Sequence, residues 1–211
     1  MRLDHVSYVA SHDQISDVVQ RIGSQIGTAF VDGGIHPRFG TRNFTAPLLN
    51  GQYIEVVCPL DHPAAEQTPF GKAVTKKANE GGGWLTWVFS AEDLSTVEEA
   101  FNRESVEGHR TKPDGTQLSW KQIGIKEILE NPIAPFFIEW RSLSHPSTDG
   151  EPSSKLIKII MNGDAQDLYS ILPGLLIGEV THQVEIEWQE DEDPGIAALV
   201  FETKNGLRII D

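Results

Sequence analysis

Residues 84–101, "WLTWVFSAEDLSTVEEAF", lie without a gap on residues 5–22, "HVSYVASHDQISDVVQRI". Val6, Ser7, Tyr8 and Val9 fall opposite Leu85, Thr86, Trp87 and Val88. Ser11 meets Ser90, Gln14 meets Asp93, Ile15 meets Leu94, Val18 meets Val97, and Ile22 meets Phe101. Each copy begins as a short apolar run, the mark of a buried strand, and continues with apolar residues at helical spacing. In the first copy these are Ile15, Val18, Val19, Ile22 and Ile26. Ser11 with Gln14 reads as a capping box at the helix start, and Gly23 and Gly27 mark its end. A weaker third copy, "LIKIIMNGDAQDLYSIL" (156–172), places Asp164 and Asp167 at the capping positions and Leu168, Ile171 and Leu172 on the apolar face.

Strand-forming stretches follow each helix. After the first come 28–34, 41–49 and 51–59, the last two joined at Asn50-Gly51, a strong hairpin signal. After the second, "KPDGTQLSWKQIG" (112–124) turns about Asp114-Gly115 and "APFFIEWRSL" (134–143) closes the set. After the third come 182–189, 195–203 and 207–211, with Asn205-Gly206 between the last two. The repeating unit is βαβββ. The Pro-, Gly- and charge-rich stretches 62–83 and 144–154 read as joints, which gives modules at 1–78, 82–145 and 155–211.

Composition narrows the function. The 211 residues carry a net charge of -14, which opposes a nucleic-acid partner because phosphates would be repelled. Five of those acids crowd "EWQEDEDPG" (187–195), read as a solvated turn because it lacks calcium-loop spacing. The single cysteine, Cys58, follows an apolar strand and reads as packing; with no internal disulfide available, a reducing compartment fits. The opening strand leaves no room for a signal peptide and no apolar run is long enough to span a membrane, so a cytoplasmic protein is expected.

Modules that open with "LDHVSYVA" (3–10) and close with "YIEVV" (53–57) resemble the vicinal oxygen chelate superfamily, which includes glyoxalase I, extradiol dioxygenases and bleomycin-binding proteins. The segment "GGIHPRFGTRNFTAPLLNGQYIEVV" (33–57) is closest in character to its glyoxalase-like branch. The resemblance implies an α+β fold in which the first two modules form a curled, U-shaped mixed sheet with helices outside. It implies metal ligands on the first and last strands of each module, here His5, Glu55 and Glu139. The fourth position falls on Trp84, a departure that argues against a dioxygenase and against glyoxalase I itself. A set of one imidazole and two carboxylates suits Zn²⁺, Mn²⁺ or Mg²⁺.

The implied activity is that of a metal-dependent lyase or isomerase acting on a small oxygen-rich molecule. Glu139 or His36 would move the proton and Asn43 would orient the substrate. Arg141 would clamp an anionic group, and Trp84 and Trp120 would wall the cleft. The alternative is a metal-free cleft that sequesters a small molecule. Each residue also has a plainer reading: His5 as a strand-end histidine, Glu55 and Glu139 as the polar members of an alternating strand, and His36 and Asn43 as hairpin residues. The third module leaves a sheet edge or face to be covered, either by the first pair or by a second subunit in a homodimer.

Overall fold

A computed structural model of the chain describes residues 1–172, 176, 178 and 182–211. The first module runs β1 (Arg2–Val9), α1 (Ile15–Ile26), β2 (Val31–His36), β3 (Thr41–Pro47) and β4 (Tyr53–Pro59). Asn50 and Gly51 both take positive φ in the β3–β4 turn, the conformation that Asn-Gly supplies. Two helices follow, α2 (Ala64–Gln67) and α3 (Pro69–Asn79), in the stretch read above as a joint. Thr68 caps α3 by accepting from Gly71 N at 3.2 Å, and Pro69 occupies its first turn, where no N–H is needed.

The second module runs β5 (Gly83–Ser90), α4 (Ser95–Phe101), β6 (Val106–Thr111), β7 (Gln117–Ile123) and β8 (Phe136–Trp140), with an extra helix α5 (Ile125–Glu130) before its last strand. The third runs β9 (Lys155–Asn162), α6 (Ala165–Ile171), β10 (Glu185–Gln189), β11 (Gly195–Thr203) and β12 (Gly206–Ile210). Asp164 caps α6, accepting from Gln166 N at 2.8 Å. The Ser11–Gln14 box does not form: α1 starts at Ile15, and the Ser11 hydroxyl meets the Asp13 and Gln14 side chains instead of the helix N–H groups.

The curled sheet goes beyond a U and closes into an eight-stranded barrel in the order β1-β4-β3-β2-β6-β7-β8-β5. The modules meet at two seams. Along β1 and β5 the register spans seven residue pairs; along β2 and β6 it is the single pair Ile35↔Thr111. At this second seam Gly34, at φ 92°, passes so close to the Thr111 carbonyl that no side chain would fit. Inside the barrel, Val9, Val57, Val88, Phe136 and Ile138 pack under Phe70 and Val74 of α3 and Ile125 and Ile128 of α5.

The third module forms a separate four-stranded sheet, β10-β9-β11-β12. Its Ile159, Met161, Leu199, Phe201 and Ile210 share one core with Trp84, Trp87 and Ile22 outside the barrel. This module therefore packs on the first pair. Trp84 donates its indole N–H to Ile210 O at 3.0 Å across that junction. Trp84→Phe keeps most of the apolar area but removes this hydrogen bond, so urea unfolding should show a loss of about 0.5–1.5 kcal/mol. A change within error would mean that the bond does not tie the third sheet to the barrel. Among the described residues no helix is long and apolar enough to cross a membrane.

Candidate functional site

Strand alternation aims a defined set of side chains into the barrel. His5 comes from β1, His36 from the end of β2, Asn43 from β3, Tyr53 and Glu55 from β4, and Arg110 from β6. Trp120 and Gln122 come from β7, and Phe136, Ile138 and Trp140 from β8; Phe39 and Phe70 complete the wall. Together they line a small pocket inside the barrel, with a cavity volume of about 30 Å³.

His5 owes its setting to a break in register. Leu3 pairs with Phe89 and His5 with Val88, so Asp4 has no partner residue on β5. An extra residue of this kind re-aims its neighbours, and the adjacent Asp4 and His5 side chains meet, Asp4 Oδ1 lying 2.9 Å from His5 Nδ1. The Asp4 carboxylate can only accept, so Nδ1 carries the hydrogen and Nε2 is left as the reactive nitrogen. That Nε2 stands 3.9 Å from Glu55 Oε2, too far for a hydrogen bond. The imidazole stacks on Tyr53, with centroids 4.4 Å apart. Burial pushes the Tyr53 hydroxyl well above the ordinary tyrosine range, so it stays protonated.

Asp4 is fully buried. Burial alone would raise its pKa, but the His145 and His5 hydrogen bonds win and hold it far below the usual carboxylate range. His145 Nε2 lies 3.0 Å from Asp4 Oδ2 and Trp140 Nε1 donates to the same oxygen at 3.2 Å. Glu55 follows the same logic: burial would raise it, and the nearby His5 with the Ser7 and Asn43 donors hold it low. Ser7 Oγ donates to Oε2 and Asn43 Nδ2 to Oε1, each at 2.6 Å. His36 sits edge-on to Phe39 and Trp120, its Nδ1 2.9 Å from Thr41 Oγ1. Burial lowers its pKa to about 3, so this ring is neutral.

The structure thus gathers His5, Glu55, His36, Asn43 and Trp120 in one cavity. It places Glu139, Arg141 and Trp84 elsewhere. In β8 the inward residues are Phe136, Ile138 and Trp140. Phe137 therefore faces outward, onto Phe89 and Phe101, and Glu139 faces outward with it. Glu139 accepts from Leu94 N at 3.3 Å and pairs with the half-exposed Arg141 at 2.8 Å. Trp84 turns outward because Ser7 pairs with Thr86 and Tyr8 with Trp84, leaving Leu85 as an extra residue that reverses the alternation.

These positions bear on the metal that the sequence implied. Glu139 cannot share an ion with His5 and Glu55 from the far side of its strand, and both Glu55 oxygens already accept hydrogen bonds. Among the described residues, no three His, Cys, Asp or Glu side chains are placed to hold a metal ion together. The donor set does not fit a centre built on His5, Glu55 and Glu139.

Arg110, Tyr53, Gln122 and the Asp4–His145 contact carried no motif. Arg110 is visible only as a lone cation in a strand, and Asp4 only as the neighbour of a strand histidine.

Two βαβββ modules closed around an interior polar site define a protein of the vicinal oxygen chelate superfamily. The chain belongs to the glyoxalase-like domain family, whose profile matches residues 3–170. Among solved structures, a hypothetical protein from Staphylococcus aureus shares the fold with a TM-score of 0.69 at 15% identity, over 96% of this chain and 91% of that one. Methylmalonyl-CoA epimerase from Mycobacterium tuberculosis gives 0.44 at 14% identity, over 65% and 87% of the two chains. A Streptomyces coelicolor methylmalonyl-CoA epimerase variant in complex with 2-nitronate-propionyl-CoA gives 0.45 at 13%, over 67% and 99%. The comparison with curated proteins returned no match.

Proposed function

We propose that this chain binds a small molecule inside the barrel and transfers a proton on it, an isomerase- or lyase-type step run by His5 and Glu55. The observation that carries this reading is the buried Asp4–His5 pair, which leaves Nε2 on the cavity wall 3.9 Å from Glu55. A reacting C–H or O–H group facing Nε2 from the cavity would find a base there, with the Glu55 carboxylate beside it to stabilise the imidazolium that forms. The Asp4 carboxylate fixes the tautomer and supports the same charge. No step needs a metal held between His5, Glu55 and Glu139.

The test is deuterium uptake from D2O into a panel of small ketones, 2-oxo acids and their esters, followed by mass spectrometry. Wild type should label at the carbon beside the carbonyl. His5→Gln should slow labelling by at least about a hundredfold, and EDTA should leave it unchanged. Labelling indifferent to His5→Gln would end the proposal. So would labelling lost with EDTA and restored by Zn²⁺ or Mn²⁺.

A second reading, sequestration without chemistry, is favoured by the lining itself. Phe39, Tyr53, Phe70, Trp120, Phe136 and Trp140 supply six rings, and both Glu55 oxygens are engaged within the protein. Quenching of Trp120 and Trp140 fluorescence by a panel compound, with no labelling of it, would select this reading.

A further inference from the structure

Arg110 has only 2% of its surface exposed, yet no carboxylate among the described residues pairs with it. Its Nη1 donates to Gly33 O at 2.8 Å and to Asn43 Oδ1 at 2.6 Å, both neutral oxygens. Gly33 is required there, since any side chain would collide with Nη1 and with Asn43 Oδ1. Nη2 and Nε, which form one edge of the guanidinium, make no bond to any described residue. Neither nitrogen is among the fully sealed polar atoms left without a partner, and Arg110 lines the cavity.

A cation removed from water is normally paired. Two other buried charges show the pattern: Asp4 meets His5 and His145, and Lys112 meets Asp149 at 2.6 Å. Glu55 does not serve Arg110 directly, because Asn43 stands between them, accepting from one and donating to the other.

We propose that the cavity takes a small carboxylic acid with a flat apolar body, its carboxylate seated on the Nη2–Nε edge of Arg110. That edge presents two parallel N–H groups at the spacing of carboxylate oxygens. The rings of Trp120 and Phe136 offer the apolar body its faces. This names the ligand class of the site already described and rests on that site being a binding cavity. It does not depend on His5 acting as a base.

The test compares benzoate, phenylacetate and phenylpyruvate with their neutral amides, by saturation-transfer NMR and by tryptophan fluorescence titration. Wild type should bind at least one acid ten times or more tighter than its amide. Arg110→Gln should bind acid and amide alike, and Arg110→Lys, which keeps the charge without the paired N–H edge, should fall between. Circular dichroism and urea unfolding report whether the variants fold. If Arg110→Gln does not, Arg110→Lys decides the matter, and an unreduced preference for the acid in that variant overturns the proposal. Equal binding of acid and amide to wild type overturns it, as does no binding of any acid at millimolar concentration. His5→Gln separates the two readings. An acid preference that persists there, without deuterium uptake in wild type, keeps the anion seat and removes the proton transfer.

Discussion

Lowering the pH from 6.5 towards 3 is expected to remove up to roughly 5 kcal/mol of stability through His36 alone, at about 1.4 kcal/mol for each pH unit. The unfolded chain holds this histidine at its ordinary pKa near 6.5, and burial in the folded barrel lowers that to about 3. Between those values the unfolded state binds the extra proton, so folding loses ground as acid is added. Above pH 6.5 the contribution is complete and flat. The neighbouring charges divide: Glu55 pulls the ring towards protonation, while Arg110, His109 and His5 push against it. Asp4 and Glu55, both held low, add acid losses of their own only below the normal carboxylate range. Urea unfolding at half-unit steps from pH 7.5 to 4 should therefore slope from about 6.5 downward, and His36→Gln should flatten the upper part. A wild-type curve level between pH 6.5 and 5 would mean that His36 takes its proton while folded.

Asp4→Ala is expected to cost about 3–5 kcal/mol, the usual consequence of removing one member of a buried ionic cluster. Asp4 receives hydrogen bonds from His5, His145 and Trp140, and Arg2 stands 3.3 Å from its Oδ2. Alanine leaves the buried donors facing a void. Asp4→Asn keeps the volume but replaces one accepting oxygen with a donor, so it should still lose stability and should impair His5 more than its effect on folding explains. A double-mutant cycle of Asp4→Ala with His145→Ala should return a coupling above 1 kcal/mol. A loss under 1 kcal/mol for Asp4→Ala would mean that water enters and replaces the carboxylate.

The repeat between 5–22 and 84–101 made the module order legible, because a strand and an amphipathic helix each have a period that survives in sequence. The helix at 69–79 was harder to see. Its Thr68 cap, Pro69 and the Phe70–Val74 spacing are all present, but the Pro, Gly and charges around them read as linker. His5 and Glu55 were singled out because the resemblance put them on the first and last strands of a module, and β1 and β4 lie side by side with Ser7 against Glu55. Glu139 misled through a matter of parity. The repeat sets Val88 79 residues after Val9, while likening "FFIEW" to "YIEVV" sets Glu139 84 residues after Glu55. Register pairs Val9 with Val57 and Val88 with Phe136, so it is the spacing of 79 that the sheet obeys. The odd difference sends Glu139 to the opposite face. The bulges at Asp4 and Leu85 have no sequence signature, since each arises from how two strands meet.

The unequal seams make the barrel a clasp. One side is hinged along the full length of β1 and β5; the other is held by the Ile35–Thr111 pair and by side-chain bonds from Arg110 to Gly33 O and Arg38 to Glu107 O. Amide hydrogens along β2 and β6 should therefore exchange with solvent well before those of β1, and parting of this seam would give a ligand a lateral route inward. Affinity and rate of entry then become separable properties. The cavity walls govern the first. The strength of the short β2–β6 seam governs the second.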